Sequence, residues 1–257
     1  MTKLYSRIRG EGFSVLILHG LFGSSDNLGS VATALASKFK THAIDLRNHG
    51  RSFHREEMNY ELMAEDVIEY MNDQGIDIAY VLGHSMGGKV AMSLALHQQK
   101  RIKAVIVADI SPVRYEGHHD EIFAGLFALL ESDIVSRKEA DSLLAEFVPE
   151  QGVRQFLLKN LKAKPGGGFD LKVNLNAIHQ NYHHILDGQH AEKPFLGEVL
   201  FIAGEASDYI QAAHKEKVVS LFPFAKVRII PKASHWLHAE KPETFIGICE
   251  RFLTGID

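Results

Sequence analysis

A chain of 257 residues with 46% hydrophobic side chains is long enough to bury one large α/β domain or two small ones. Its 28 basic and 32 acidic residues are interspersed and leave a formal charge of −4, which excludes a basic stripe for nucleic acid and an acidic tail. The single cysteine, Cys249, excludes an internal disulfide, and its apolar surroundings mark it as a core filler rather than an activated thiol. The N-terminal stretch "MTKLYSRIRGEG" has no apolar signal core, and no apolar run is long enough to span a bilayer, so the expected location is cytoplasmic with no membrane partner.

From Ser14 onward, short aliphatic runs alternate with longer amphipathic ones, the rhythm of strands joined by helices over a mostly parallel sheet. "SVLILHG" (14–20) predicts a strand and "NLGSVATALASKF" (27–39) a helix, with Leu28, Val31, Leu35 and Phe39 at helical spacing. "THAIDL" (41–46) is the next strand and "YELMAEDVIEYMNDQG" (60–75) the next helix, stopped by Gly75. "AYVLG" and the helix after Ser85 repeat the unit, and "KAVIVAD" (103–109) adds a strand. Between Ser111 and about Lys193 the patterns are helical, with a stripe of Ile122, Phe123, Leu126, Phe127 and Leu130 and another of Leu143, Leu144 and Phe147. "KPGGG" (164–168) is a flexible turn within this insert. "EVLFIAG" (198–204) and "AKVRIIP" (225–231) resume the sheet, separated by the helix-like "IQAAHKEKVVSLF" and followed by the helix "PETFIGICERFL". The expected division is a core of 1–110 and 194–257 with a helical insert of 111–193.

Gly83, Ser85 and Gly87 form G-x-S-x-G between a predicted strand and a predicted helix, the setting of a nucleophile elbow. Such a turn exposes the serine Oγ in a strained backbone conformation beside a helix N-terminus, and the flanking glycines admit closely passing chain. A serine hydroxyl needs a base within hydrogen-bond reach and an acid to hold that base in the right tautomer. Of the 15 histidines, His235 is the best candidate base, because "PKASHWLHAEKP" follows the last predicted strand at the sheet edge where Ser85 falls. His238, three residues on, reads as a structural hydrogen-bonding residue. Met86 N–H and a second backbone donor from Leu21 or Phe22, with Leu21 preferred, would complete an oxyanion hole after the "LHGLFGS" strand end.

"HGLFGS", "DLRNHGRS", "GHSMGGK", "DISPVRY" and "SHWLHAEKP", in this order, resemble the α/β-hydrolase fold superfamily and, within it, the small bacterial esterases of the YbfF type. The resemblance covers essentially the whole chain. It implies that the helical insert is a cap over the active site, that the activity is hydrolysis of carboxylic esters or acyl thioesters, acyl-CoA among them, and that no cofactor takes part.

Many relatives place an aspartate three residues after the glycine that ends "EVLFIAG", a position held here by Ser207. That hydroxyl could hydrogen-bond the histidine but cannot serve as the acid. Asp208, one residue later, could substitute if the loop shifts; otherwise it reads as a helix cap. Asp109 ends the preceding strand in "VADISP", 24 residues after the nucleophile (109 − 85), and resembles the position from which YbfF-type esterases take their acid. The expected catalytic set is therefore Ser85, Asp109 and His235. Asp45 and Arg47 in "DLRNHGRS" read as structural, through hydrogen bonds and an ion pair. His118, His119, His179, His183, His184 and His190 lie in the insert without metal-ligand spacing and read as solvated or structural, so no metal site is expected. The Phe and Leu stripes of the insert would line an acyl pocket or, more simply, pack on the domain below. Two other functions share these features: a lyase or carbon–carbon bond hydrolase using the triad for proton transfer, and a small-ligand binding module with little turnover.

Overall fold

The computed structural model describes residues 3–256. In chain order it contains β1 (Ser6–Arg9), β2 (Ser14–Leu18), α1 (Gly29–Leu35), β3 (Lys40–Ile44), α2 (Tyr60–Asp73), β4 (Ala79–His84), α3 (Met86–His97) and β5 (Ile102–Ala108). The insert follows with α4 (Asp120–Glu131), α5 (Arg137–Leu144), α6 (Gln151–Leu157), β6 (Leu161–Ala163), β7 (Phe169–Leu171), α7 (Leu175–Gln180) and α8 (Tyr182–Leu186). The chain then completes β8 (Glu198–Gly204), α9 (Lys215–Leu221), β9 (Lys226–Ile230), α10 (Leu237–Glu240) and α11 (Pro242–Thr254).

Among the described residues seven strands form the main sheet in the order β1-β3-β2-β4-β5-β8-β9, all parallel except β1, which runs antiparallel to β3. The central strands are apolar on both faces because both faces are covered: every residue of β4 is buried. Strand periodicity sorts neighbouring side chains into two layers. Leu16, Leu18, Val81 and Val107 pack with Met63 and Val67 of α2 and Val90 of α3, whereas Val15, Ile17, Leu82 and Ile106 pack with Val31 of α1 and Phe245 and Cys249 of α11. Each such side chain contributes roughly 1.5–3 kcal/mol relative to exposure. Helix α2 starts where the Asn59 side chain accepts from Leu62 N–H, and it ends before Gly75 at φ +66°.

Three elements differ from expectation. Strand β1 went unread because it is short and lies at the sheet edge, with three residues half-buried and its one apolar residue, Ile8, exposed. The helix expected over 27–39 is confined to Gly29–Leu35, after which a turn leads directly into β3. The insert is not wholly helical: β6 and β7 pair antiparallel through Leu161↔Leu171 and Ala163↔Phe169, and Gly166, Gly167 and Gly168 at φ +94°, +105° and +77° form the turn between them. Three-residue strands are too short for alternation to register against a helical background.

Candidate active site

The register of the sheet gathers the loops that carry the candidate residues. Leu18 pairs with Gly83, His84 with Ala108, Ala108 with Ile202, and Gly204 with Ile230. The segments after β2, β4, β5, β8 and β9 therefore leave the sheet at one carboxyl edge, where open α/β sheets hold their ligands. Helices of the insert close over that edge: Ile122, Phe156, Tyr182 and Ile185 line the same cleft as Gly20, Leu21, Ser85, Met86 and His235.

Ser85 has φ +53° and ψ −119°, a conformation that costs a non-glycine residue about 1–3 kcal/mol and is held only by over-determined surroundings. Here those surroundings are specific. A Cβ on Gly83 would lie 2.1 Å from Gly87 O, and one on Gly87 would lie 2.3 Å from Leu18 O, so both flanking glycines are required by close backbone approach. Ser85 N–H donates to Ala108 O at 2.9 Å, and Ser85 O accepts from Gly88 N–H and Lys89 N–H, which starts α3 at the serine. Met86 N–H lies in the first turn of α3, where amides lack intrahelical partners. Among the described residues Ser85 Oγ makes no hydrogen bond within 3.5 Å.

Asp109, also at positive φ (+52°), is fully buried. Its Oδ1 accepts from Gly204 N–H at 2.9 Å, and its Oδ2 accepts from His235 Nδ1–H at 2.8 Å and from the Ser207 hydroxyl. Because a carboxylate only accepts, the His235 Nδ1 carries the proton and Nε2 of the neutral ring is free to take one. The imidazole is stacked on Tyr209 with centroids 4.2 Å apart, and its backbone carbonyl accepts from His84 Nε2–H at 2.9 Å. Two expectations are corrected. Ser207 bonds the aspartate rather than the histidine, because Asp109 reaches the end of β8. Asp208 is exposed and caps no helix; Gln211 caps the 3-10 turn that precedes α9.

The loop after β2 separates the two candidate donors. Phe22 N–H donates to His49 Nε2 at 3.2 Å and is occupied, whereas among the described residues Leu21 N–H has no acceptor. His49 Nδ1–H in turn donates to Arg47 O, and His19 donates from Nδ1 to Gly20 O while accepting from Leu46 N–H at Nε2. Burial pushes the His49 ring down to about 3 and lowers His19, so both stay neutral and each uses one nitrogen as donor and the other as acceptor. Asp45 supports the wall by accepting from Ser25 N–H and Arg51 N–H, and Arg47 pairs with Asp66 of α2 at 2.5 and 2.7 Å.

Several cleft residues were missed or misread. Lys89 is buried, donates to Leu186 O and Asp187 O of the insert, and lies over the Tyr60 and Tyr115 rings at 5.5 and 4.8 Å. Burial pushes its ammonium down to about 7. Its signal was available: a lone charge in the otherwise uncharged "MGGKVAMSLAL". His118 and His119 fit the expected solvated or structural role while also reaching the site. Both line the cleft, hydrogen-bonding Tyr209 Oη and Tyr182 Oη respectively. His179 packs edge-on against Phe123 and Phe127 of the insert. His238 was expected to hydrogen-bond, yet its buried Nδ1 has no partner among the described residues, and burial pushes the ring down to about 4. Of the insert's first apolar stripe only Ile122 faces the cleft, while Phe123 and Leu126 are core. Among the described residues no three His, Cys, Asp or Glu side chains form a group that could hold a metal ion, and no helix is long and apolar enough to cross a membrane.

The alpha/beta hydrolase fold family matches residues 14–242. The chain is 40% identical over 240 residues to a putative esterase/lipase of Haemophilus influenzae, covering 93% of this chain and 82% of that protein. It is 37% identical over 240 residues to esterase YbfF of Escherichia coli, covering 93% of this chain and 92% of that one. A solved marine microorganism esterase has 38% sequence identity and a TM-score of 0.91, covering 98% of this chain and 100% of that chain. The chain therefore belongs to the α/β-hydrolase fold family, alongside the YbfF-type esterases.

Proposed function

We propose that the chain is a serine hydrolase of carboxylic esters, with acyl thioesters such as acyl-CoA within reach of the same chemistry. Ser85 is the nucleophile, His235 the general base and acid, and Asp109 the group that orients the imidazole. Leu21 N–H and Met86 N–H stabilise the oxyanion. The observation that carries this assignment is the 2.8 Å bond from His235 Nδ1–H to a fully buried Asp109, in a cleft shared with a serine on a strained elbow. The names of its relatives, esterase and esterase/lipase, agree with it.

In the forward step Ser85 Oγ bonds to the acyl carbon as its proton passes to His235 Nε2. The carbonyl π electrons move onto oxygen between the two backbone donors. Collapse breaks the bond to the alcohol or thiol, which takes the proton from Nε2. Water then repeats the sequence, losing a proton to Nε2 and releasing the acid. The imidazolium formed at each stage lies against the Asp109 carboxylate, which bears its charge without taking its proton.

A panel of p-nitrophenyl esters and acyl-CoA species of increasing chain length tests the proposal on wild type and Ser85→Ala. Wild type turns over at least one short ester, and Ser85→Ala falls to near background. Equal rates in the two proteins refute it.

A further inference from the structure

Leu21 N–H belongs to the peptide unit whose carbonyl is Gly20 O. That carbonyl accepts from Gly23 N–H at 2.9 Å as well as from His19. Gly23 N–H belongs in turn to the peptide unit whose carbonyl is Phe22 O, which accepts from Asn160 Nδ2 at 2.7 Å. A trans peptide is planar with its N–H and C=O opposed, so a bond to the carbonyl fixes the direction of the amide hydrogen. Two such units in series run from Asn160, through Phe22 O and Gly23 N–H, to Gly20 O and the free Leu21 N–H. Bonds in series polarise one another, so each also makes the next amide a stronger donor.

Asn160 comes from the insert rather than from the sheet domain. It is buried, it ends the turn before β6, and its own carbonyl accepts from Lys172 N–H just beyond β7. The hairpin between the two strands thus locks its backbone. Since a carbonyl can only accept, the side-chain atom that meets Phe22 O must be the amide nitrogen. The Phe22 ring is held from the same side, edge-on to Phe123 of α4 at 5.3 Å and to His119 at 6.2 Å. Phe22 itself sits at φ +58°, a conformation that needs such support.

We propose that Asn160 is a positioning residue for the oxyanion hole, aiming Leu21 N–H through the two intervening peptide units, so that seating the cap and completing the hole are one event. The proposal rests on the serine-hydrolase assignment. Removing a whole oxyanion donor lowers rate ~10²–10³-fold; loosening its aim lowers kcat about 10- to 100-fold.

The test uses Asn160→Asp, which keeps the shape and loses the donor, and Asn160→Leu. Kinetics on a p-nitrophenyl ester are combined with the affinity of an alkyl boronic acid, whose tetrahedral adduct on serine places an oxygen in the hole. The expected result is a fall in kcat of about 10- to 100-fold with KM within about threefold, and a matching loss of boronic acid affinity. Asn174→Ala is the control: it removes the insert's side-chain bond from Asn174 Nδ2 to Asn48 Oδ1 without touching the relay, and kcat stays within about threefold of wild type. Should Asn160→Leu fail to fold, Asn160→Asp decides. A folded Asn160→Asp with wild-type kcat, or an equal loss of kcat in Asn174→Ala, overturns the proposal. A fluorophosphonate separates the two layers of inference. Wild type left unlabelled at Ser85 defeats the serine-hydrolase assignment and this proposal with it, whereas labelled Ser85 with wild-type kcat in Asn160→Asp defeats this proposal alone.

Discussion

Replacing Asp109 by asparagine exchanges one oxygen for an NH2 group in a fully buried side chain that holds three hydrogen bonds. The asparagine carbonyl can still accept from Gly204 N–H, and the new NH2 occupies the place of Oδ2. That group donates to His235 Nδ1 and moves the ring proton to Nε2, the atom that must receive the proton of Ser85. The hydroxyl of Ser207 can rotate to accept from the same NH2, so no buried polar atom is stranded and folding is little affected. The loss falls on the tautomer and on the imidazolium of the transition state, for which a drop in kcat of ~10³–10⁴ is expected, or about 4–5.5 kcal/mol. Asp208→Asn, at an exposed carboxylate, stays within about twofold of wild type. Steady-state hydrolysis of a p-nitrophenyl ester at neutral pH compares them directly. Loss of orders of magnitude in Asp208→Asn with Asp109→Asn near wild type refutes the assignment of the acid.

Ser207→Ala removes one donor to Asp109 Oδ2 and leaves the bond to His235, so kcat should fall about tenfold with KM within twofold; an unchanged kcat assigns the hydroxyl no part in holding the aspartate. His238→Phe keeps a ring against His84 and Phe245 and removes a nitrogen that has no partner. Burial lowers His238 from 6.5 to about 4, so below pH 6.5 the unfolded chain binds the extra proton first and the wild type loses stability as pH falls. Relative to His238→Phe that loss reaches about 2 kcal/mol between pH 7 and pH 5, at about 1.36 kcal/mol per unit below 6.5. Urea unfolding at the two pH values measures it, and an unchanged difference between the two proteins contradicts a buried neutral His238.

The parts of the site legible in the sequence are those that depend on local chain. The elbow could be read because G-x-S-x-G sits between a strand and a helix pattern, and its glycines answer to contacts made within a few residues or with the adjacent strand β2. His235 was proposed as the base from its place after the last strand, while Asp109 needed the family resemblance to outrank Asp208 as the proposed acid. What failed was pairing across long separations. Ser207 and Asp109 are 98 positions apart and Asn160 and Phe22 are 138 apart, and no periodicity encodes which of several nearby polar groups a side chain will meet. The β6–β7 hairpin escaped for a different reason: its strands are too short to show alternation, yet it carries Asn160 to the loop after β2. Lys89 was legible as an anomaly in an apolar helix, but its partners, Leu186 O and Asp187 O, lie across the insert.

The most direct measurement is mass spectrometry of the protein after rapid acid quench of a turning-over ester, with peptide mapping of the added acyl group. An acyl mass on the peptide containing Ser85, absent from Ser85→Ala, is the predicted result. Ester turnover at the wild-type rate in Ser85→Ala, or an acyl group mapped to another residue, contradicts the central claim.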